Sequence, residues 1–180
     1  QITAIFLDQH LYYPLLSSDR NDQFKFSPAG LNKGQLEFIR AFQAHLAAKP
    51  EPIPEQEVFV FRNESRGRGL GFFVADNFYP DFMIWLVGSN SQHIIFVDPK
   101  GIRNLGGSEH PKLKFHETIK DVERRLAKAA DQSRGTIRLH SFILSTTPYE
   151  NVMWNTHASD TKSKQEFEDR NVLFMSDGSD

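Results

Sequence analysis

Two aspartates and a lysine stand at the ends of two apolar segments that a short polar turn separates. Asp81 opens the first segment, Asp98 closes the second, and Lys100 follows two residues later. Two carboxylates could hold a divalent cation, because hard cations such as Mg²⁺ take oxygen ligands. Such a cation polarises a phosphoryl group and activates water, while an ammonium stabilises charge on phosphate. These residue types favour phosphodiester hydrolysis, provided that the fold brings them together.

The spacing between these residues predicts a β-hairpin. Residues 81–87 and 92–98 are largely apolar, and the turn between them has the sequence GSNS. Four-residue loops of this composition commonly join two antiparallel strands. Symmetric closure of the loop would pair Val87 with Gln92, which fixes the register of the two strands.

This register would bring the three residues to one face of the hairpin. Counting outward from the loop puts Asp81 directly opposite Asp98, where two like charges are unfavourable unless something positive lies between them. Alternation along the strand places Lys100 on the same side. Taken singly, the aspartates also fit ordinary strand-end and turn positions. Their joint arrangement is what favours a metal site.

A helix that starts after Asn32 is predicted to pack against the sheet. Asn32 can cap the helix, Gln35 stands at the reciprocal capping-box position, and the helix should end near Ala48, before a Lys-Pro pair. On a helical wheel Gln35 falls on the apolar side and Glu37 on the opposite side. We therefore expect Gln35 to face the carboxylates and Glu37 to face water.

The remaining periodicity predicts an α/β fold with a mixed β-sheet flanked by helices on both faces. Further strands are expected at 57–61 and 136–145, a strand or extended segment at 70–75, and a second helix at 111–131. The domain prediction is a lead-in segment at 1–30, a core at 31–148 and an appendage outside the core at 149–180. Within that appendage, Ser163 and Glu166 could form a capping box before the apolar run VLF.

The composition fits a soluble, intracellular protein. The chain has 180 residues and no Cys, which excludes disulfides and thiolate zinc sites and suits a reducing cytoplasm. The apolar runs all fall short of the roughly 20 residues of a membrane span, and the first residues do not resemble a signal peptide. Because the chain begins with Gln1, we expect it to be a fragment of a longer cytoplasmic protein.

The charge distribution points to local contacts with nucleic acid. A formal net charge of -2 does not suit a protein that coats nucleic acid through bulk positive charge. The glycine-rich stretch RNESRGRG could grip phosphate oxygens, although a solvated surface loop explains it equally well. The candidate contacts are Arg62, Arg66 and Arg68, with a weaker patch formed by Lys100, Arg103, Lys112 and Lys114.

These residues lie in segments that resemble a known family. The stretch NFYPDFMIWLVGSNSQHIIFVDPKG resembles the motif of PD-(D/E)xK nucleases, with Pro80-Asp81 as the PD element and Asp98-Pro99-Lys100 as the DxK element. More narrowly, HLYYPLL, FSPAGLNKG and VFRNESRGRGLGFF are similar to the C-terminal nuclease region of bacterial superfamily 2 helicase-nucleases related to type III restriction enzyme Res subunits. The resemblance runs in patches from about His10 to Pro148 and returns at EFEDRNVLF.

The resemblance implies a restriction-endonuclease-like fold that cleaves DNA with Mg²⁺, or with Mn²⁺ in its place. Asp81 and Asp98 would ligate the ion, the Pro99 carbonyl would complete the site, and Lys100 would be the catalytic lysine. The implied partners are DNA, an upstream helicase domain of the same chain, and a methyltransferase or another defence subunit. The implied role is restriction or defence against phage.

One position departs from the family pattern. The family carries an acidic residue on the first helix, and the matching catalytic position here is Gln35. An amide offers its carbonyl oxygen to a metal but supplies no charge. This departure keeps open a catalytically quiet DNA-binding module that guides a helicase. A structural interaction domain is a third alternative, in which the three charged residues would converge by accident.

Overall fold

The computed structural model describes residues 2–7, 15–18, 30–48, 57–64, 70–72, 78–129, 135–156 and 161–175. The strands are β1 (Ile2–Ile5), β2 (Leu15–Ser18), β3 (Glu57–Arg62), β4 (Phe82–Val87), β5 (Ser91–Lys100), β6 (Thr136–Ser145) and β7 (Val172–Phe174). The helices are α1 (Lys33–Ala48), α2 (Phe115–Ala129), α3 (Met153–Thr156) and α4 (Lys164–Glu168), with a 3₁₀ turn at Tyr149–Asn151. Among these helices, none combines the length and the apolar character that crossing a membrane requires.

The main sheet has five strands in the order β3-β4-β5-β6-β7. The pairs β3–β4 and β4–β5 are antiparallel, whereas β5–β6 and β6–β7 are parallel. Strands β1 and β2 form a separate antiparallel pair. The predicted mixed α/β sheet is therefore confirmed.

The hairpin register agrees with the sequence prediction. Val87 pairs with Gln92, and the ladder between β4 and β5 runs to the pair Phe82 and Val97. The Gly88 N–H donates to the Ser91 carbonyl at 2.8 Å, which closes the turn. Since the ladder ends at Phe82, the next residues outward in the same register are the two aspartates.

Helices cover both faces of the sheet. Alternation along β4 sends Phe82 into the apolar cluster that contains Ile39 of α1. The next residue, Met83, enters the opposite cluster with Phe115 and Ile119 of α2. Each helix thus buries its apolar side on a different face, as the periodicity of the sequence predicts.

The N-terminus of α1 has the predicted capping box. The Gln35 N–H donates to Asn32 Oδ1 at 2.9 Å, and the Asn32 N–H donates to Gln35 Oε1 at 3.1 Å. Both bonds satisfy backbone donors that have no partner inside the helix. Local sequence therefore determines where α1 begins and fixes the Gln35 side chain at its first turn.

The termini contribute more to the core than the sequence predicts. Ile5, Leu7 and Leu15 of the expected lead-in are buried in the cluster that contains Ile39. The appendage prediction for 149–180 needs correction, because β7 pairs with β6 and Phe167 is 1% exposed in a third apolar cluster. The capping box between Ser163 and Glu166 is present at the start of α4.

The strand or extended segment expected at 70–75 shows only an isolated bridge in its described part, between Phe72 and Phe78. Residues 73–75 lie outside the described ranges. The two bridge bonds, at 2.7 and 3.1 Å, join Phe72 and Phe78 beside Phe115. Both rings therefore pack on α2.

The edge of β6 that faces away from β5 is hydrogen-bonded partly by side chains of α2 rather than by a neighbouring strand. β7 pairs with only Ile143–Ser145 of the ten-residue β6. Nearer the start of β6, the Leu139 N–H donates to Glu123 Oε2 at 2.6 Å, and Lys120 Nζ donates to the Leu139 carbonyl at 2.5 Å. Burial opposes the charge of Glu123, but these partners outweigh it and leave the pKa of Glu123 lowered. Two helix side chains thus satisfy one strand residue.

Candidate active site

The three residues predicted to carry out the chemistry, Asp81, Asp98 and Lys100, meet at one end of the sheet. Asp81 lies one residue before β4, while Asp98 and Lys100 are among the last three residues of β5. The first turn of α1 and Thr146, just after β6, complete an open cavity of about 340 Å³. Strand ends and a helix N-terminus therefore surround the carboxylates, as the hairpin register requires.

Close packing of α1 against the strand ends shapes this cavity. A Cβ on Gly34 would lie 2.6 Å from the Thr146 Cγ2 and 3.8 Å from the Pro99 Cβ. The first distance is shorter than real Cβ contacts allow, so the absence of a side chain lets the helix approach. Gly34 thereby brings the neighbouring Gln35 within reach of the carboxylates.

Asp98 is buried and paired with the lysine. It is 2% exposed, and its Oδ2 forms an ion pair with Lys100 Nζ. The ammonium also lies 5.4 Å from the centre of the Phe78 ring, within the range of a cation–π contact. Lys100 is therefore held between a carboxylate and an aromatic face, with 25% of its side chain exposed.

Asp81 is half-buried and carries an unusual pKa. Burial and the nearby Asp98 charge raise the pKa of Asp81 to about 6, against the opposing effects of Gln35, Lys100 and Arg62. Two carboxylates that repel each other in a partly dry site gain strongly from a shared cation. This is the electrostatic environment expected of a metal-binding pair.

Gln35 faces inward, as its helical position predicts. Gln35 is 7% exposed, whereas Glu37 is exposed and its Oε1 lies 3.7 Å from Lys33 Nζ. The Gln35 Oε1 accepts from the Asn32 N–H at 3.1 Å and from Arg62 Nη2 at 3.4 Å. Because both partners are donors, Oε1 is the acceptor end of the amide, and the Gln35 side chain also lowers the pKa of Asp81.

This amide orientation bears on the expected metal role of Gln35. The oxygen that could ligate a cation already accepts two hydrogen bonds, from the Asn32 N–H and from Arg62 Nη2. A cation would compete with these donors for the same lone pairs. Gln35 thus influences Asp81, but its metal-binding atom is already engaged.

The predicted basic residues fall in different places. Arg62 turns toward the site, with Nη2 3.3 Å from the Gly30 carbonyl. Arg66 and Arg68 lie outside the described residues. In the weaker patch Lys100 pairs with Asp98, Arg103 and Lys112 lie on the segment after β5, and Lys114 forms an ion pair with Glu109. The nucleic-acid contacts therefore stay predictions.

The donor set fits a hard cation, although it is small. Asp81 and Asp98 supply carboxylate oxygens. Pro99, which stands between Asp98 and Lys100 in the sequence, lines the same cavity. Within the described part of the chain, no group of three or more His, Asp or Glu side chains could hold a metal. Mg²⁺ commonly keeps several waters and uses one or two protein carboxylates, so a two-aspartate site suits it.

Sequence reasoning missed one residue at this site. Asn63 follows Arg62 and is buried, and its backbone N–H donates to the Asp81 carbonyl at 2.8 Å. No spacing rule singles out this residue, because its partners lie 7 and 17 positions away along the chain. Its burial within a polar, glycine-rich stretch appears only in three dimensions.

Comparison of the chain with models of protein families, with curated proteins and with solved structures gave no match. The case for a function therefore depends on the site itself.

Proposed function

We propose that this chain is a metal-dependent nuclease domain that hydrolyses DNA phosphodiester bonds with Mg²⁺ or Mn²⁺. The convergence of Asp81, Asp98 and Lys100 on one open cavity carries the proposal. Sequence alone predicts this convergence from the length of one turn, and the observed register agrees with it. An accidental grouping would not be expected to place two carboxylates and an ammonium in the predicted order.

Each of the three residues has a distinct role in the proposal. Asp98, which is buried, and Asp81, which lines the same cavity, would hold the cation. The ion would polarise the phosphoryl group and lower the pKa of a water molecule. Lys100 would orient that water or stabilise charge on a phosphate oxygen, for which its partly exposed ammonium is suitably placed.

The surrounding charges suit a phosphate ligand. Arg62 and Lys100 both lie near Asp81 and lower its pKa. The positive end of the α1 dipole adds to them, because the first turn of that helix borders the cavity. A chain with a net charge of -2 thus concentrates positive groups where a phosphodiester would bind.

A catalytically quiet DNA-binding module is the second candidate, and one observation favours it. The neutral Gln35 stands where the resembled family has an acidic residue, so the site offers a cation less negative charge. Such a module would bind DNA through the same cavity without cutting it. In either case the resemblance supports a place beside a helicase motor in a cytoplasmic restriction or phage-defence system, with a methyltransferase or other defence subunit as a partner.

Cleavage assays separate the two candidates. Supercoiled plasmid and single-stranded DNA are incubated with the protein and Mg²⁺, Mn²⁺ or chelator. We expect metal-dependent cutting that Asp98→Asn and Lys100→Met each reduce about 100-fold or more, since each removes a group that acts on the ion or the phosphate. Lys128→Met, on the exposed end of α2, is the control and should cut like the wild type.

The outcomes are distinct. Metal-independent cutting, or full activity in either site variant, would contradict the nuclease proposal. DNA binding without any cutting under either metal would favour the quiet module.

A further inference from the structure

We propose that Asn63 is a positioning residue that fixes the backbone at Asp81 and joins it to Leu70. This inference rests on the proposed nuclease function, because it assigns Asn63 a role in placing the Asp81 carboxylate. In the sequence, Asn63 and Leu70 flank the segment that contains Arg66 and Arg68.

The Asn63 side chain uses all of its donors on backbone groups. Nδ2 donates to the Leu70 carbonyl and to the Pro80 carbonyl, both at 2.8 Å. Oδ1 accepts from the Leu70 N–H at 2.9 Å. These partners fix which end of the amide is nitrogen, because two of them are acceptors and one is a donor. No other side chain of this size offers two donors and an acceptor in this geometry.

The bond to Pro80 concerns the active site directly. Asp81 lies just before the first residue of β4, and the β4–β5 ladder has its outermost pair at Phe82 and Val97. At that point the Asn63 N–H bonds the Asp81 carbonyl, and the Asn63 side chain bonds the preceding carbonyl of Pro80. One residue therefore holds both peptide units that flank the Asp81 Cα.

A second asparagine shows which part of this arrangement is ordinary. Asn155 is 2% exposed, donates to the Lys162 carbonyl at 2.8 Å and accepts from the Lys162 N–H at 2.9 Å. Asn155 thus bonds the backbone of a residue seven positions later, in the same way as Asn63 bonds Leu70. The bond to Pro80 is the additional feature of Asn63, and it leads to the site rather than to the loop.

Precise placement of Asp81 matters because the cation must meet two carboxylates at once. A displacement of about 1 Å from the productive geometry can cost about 100-fold in rate. Without the Asn63 side chain, the chain before β4 would lose its bond to the Pro80 carbonyl, while the backbone N–H of residue 63 would still bond the Asp81 carbonyl. The peptide unit before Asp81 and the Leu70 backbone are therefore held to one another only while this side chain is present.

The test compares Asn63→Ala with Asn155→Ala in the whole chain. Urea unfolding first measures the stability that each clasp contributes. Calorimetric titration with Mg²⁺, the carboxyl carbon resonance of Asp81 by NMR, and single-turnover cleavage at saturating Mg²⁺ then report on the site. We expect Asn63→Ala to lower the cleavage rate tenfold or more, weaken Mg²⁺ binding and displace the Asp81 resonance. Asn155→Ala should leave all three within twofold or unshifted.

Two further variants keep the test decisive. Asn63→Asp keeps the size but turns the donors to Leu70 and Pro80 into acceptors, so it should impair the site at least as strongly as alanine. Asn63→Ser, which retains one donor and one acceptor, replaces the alanine variant if that variant does not fold.

The possible results separate this inference from the function on which it rests. Equal effects of the Asn63 and Asn155 variants on Mg²⁺ binding and on the Asp81 resonance would make Asn63 a mere loop clasp and overturn the inference. A wild-type protein that neither binds Mg²⁺ nor cuts DNA would refute the nuclease function, and the Asp81 resonance would still decide whether Asn63 positions that residue.

Discussion

Replacing Asp81 by Asn should stabilise the domain while abolishing the proposed metal site. In the folded protein burial and Asp98 raise the pKa of Asp81 from 3.8 to about 6. The folded state therefore holds this proton more strongly than the unfolded chain does. With respect to this group, the free energy of unfolding is highest below pH 3.8 and falls as the pH rises from 3.8 through about 6.

The size of the effect follows from the shift. A difference of about 2 pKa units costs the folded state about 3 kcal/mol at pH 8 and about half as much at pH 5, as an upper estimate. Asn has the shape of Asp without the charge. Asp81→Asn should therefore raise the free energy of unfolding by up to about 3 kcal/mol at pH 8 without metal.

Urea unfolding with chelator at pH 8 and pH 5 measures this difference. Asp121→Asn is the control, because Asp121 is 56% exposed in a surface ion pair and should change stability by less than about 1 kcal/mol. Added Mg²⁺ should stabilise the wild type by about 3 kcal/mol at 100 times its Kd and stabilise Asp81→Asn far less. A loss of stability on removing the Asp81 charge, or a gain of equal size at both pH values, would refute the electrostatic reasoning.

The remaining predictions concern the first helix and the arginine loop. Gln35→Glu keeps the capping box and adds a third carboxylate, so it should lower stability without metal, tighten Mg²⁺ binding about tenfold by calorimetry and raise cleavage. Glu37→Gln, on the exposed side of α1, should change none of these, and a strong effect there with none at Gln35 would contradict the assigned helix face. Charge reversal at Arg66 and Arg68 should weaken DNA binding for all sequences and flatten its dependence on salt. An unchanged salt slope in titrations would exclude phosphate contacts from this loop.

The parts of the site that local rules determine could be predicted from sequence. The turn GSNS fixes the pairing of Val87 with Gln92, and from that pair the positions of Asp81 and Asp98 follow by counting. The capping box fixes Gln35 at the first turn of α1, and helical geometry turns it inward. Each of these inferences spans fewer than twenty residues and uses a fixed period or a fixed hydrogen-bond pattern.

The parts that depend on distant contacts could not be predicted. Pairing of the three-residue β7 with β6 joins segments about thirty residues apart, and neither segment carries a turn signal for it. The inward turn of Arg62 and the bonds of Asn63 require the positions of Gly30 and Pro80, which only the folded chain defines. For the glycine-rich stretch, composition alone therefore leaves phosphate binding and a solvated surface loop equally open.

The bonding of Leu139 by α2 has a consequence for the protein in concentrated solution. An unpaired strand edge offers its N–H and C=O groups as a template on which a second chain can add a strand. Glu123 and Lys120 occupy both groups of Leu139 at a point of β6 that the short β7 does not reach. By bonding these two groups, α2 blocks intermolecular strand pairing at Leu139, and it also covers one face of the sheet. Glu123→Ala would release the Leu139 N–H, and the expected result in sedimentation experiments is self-association that rises with protein concentration.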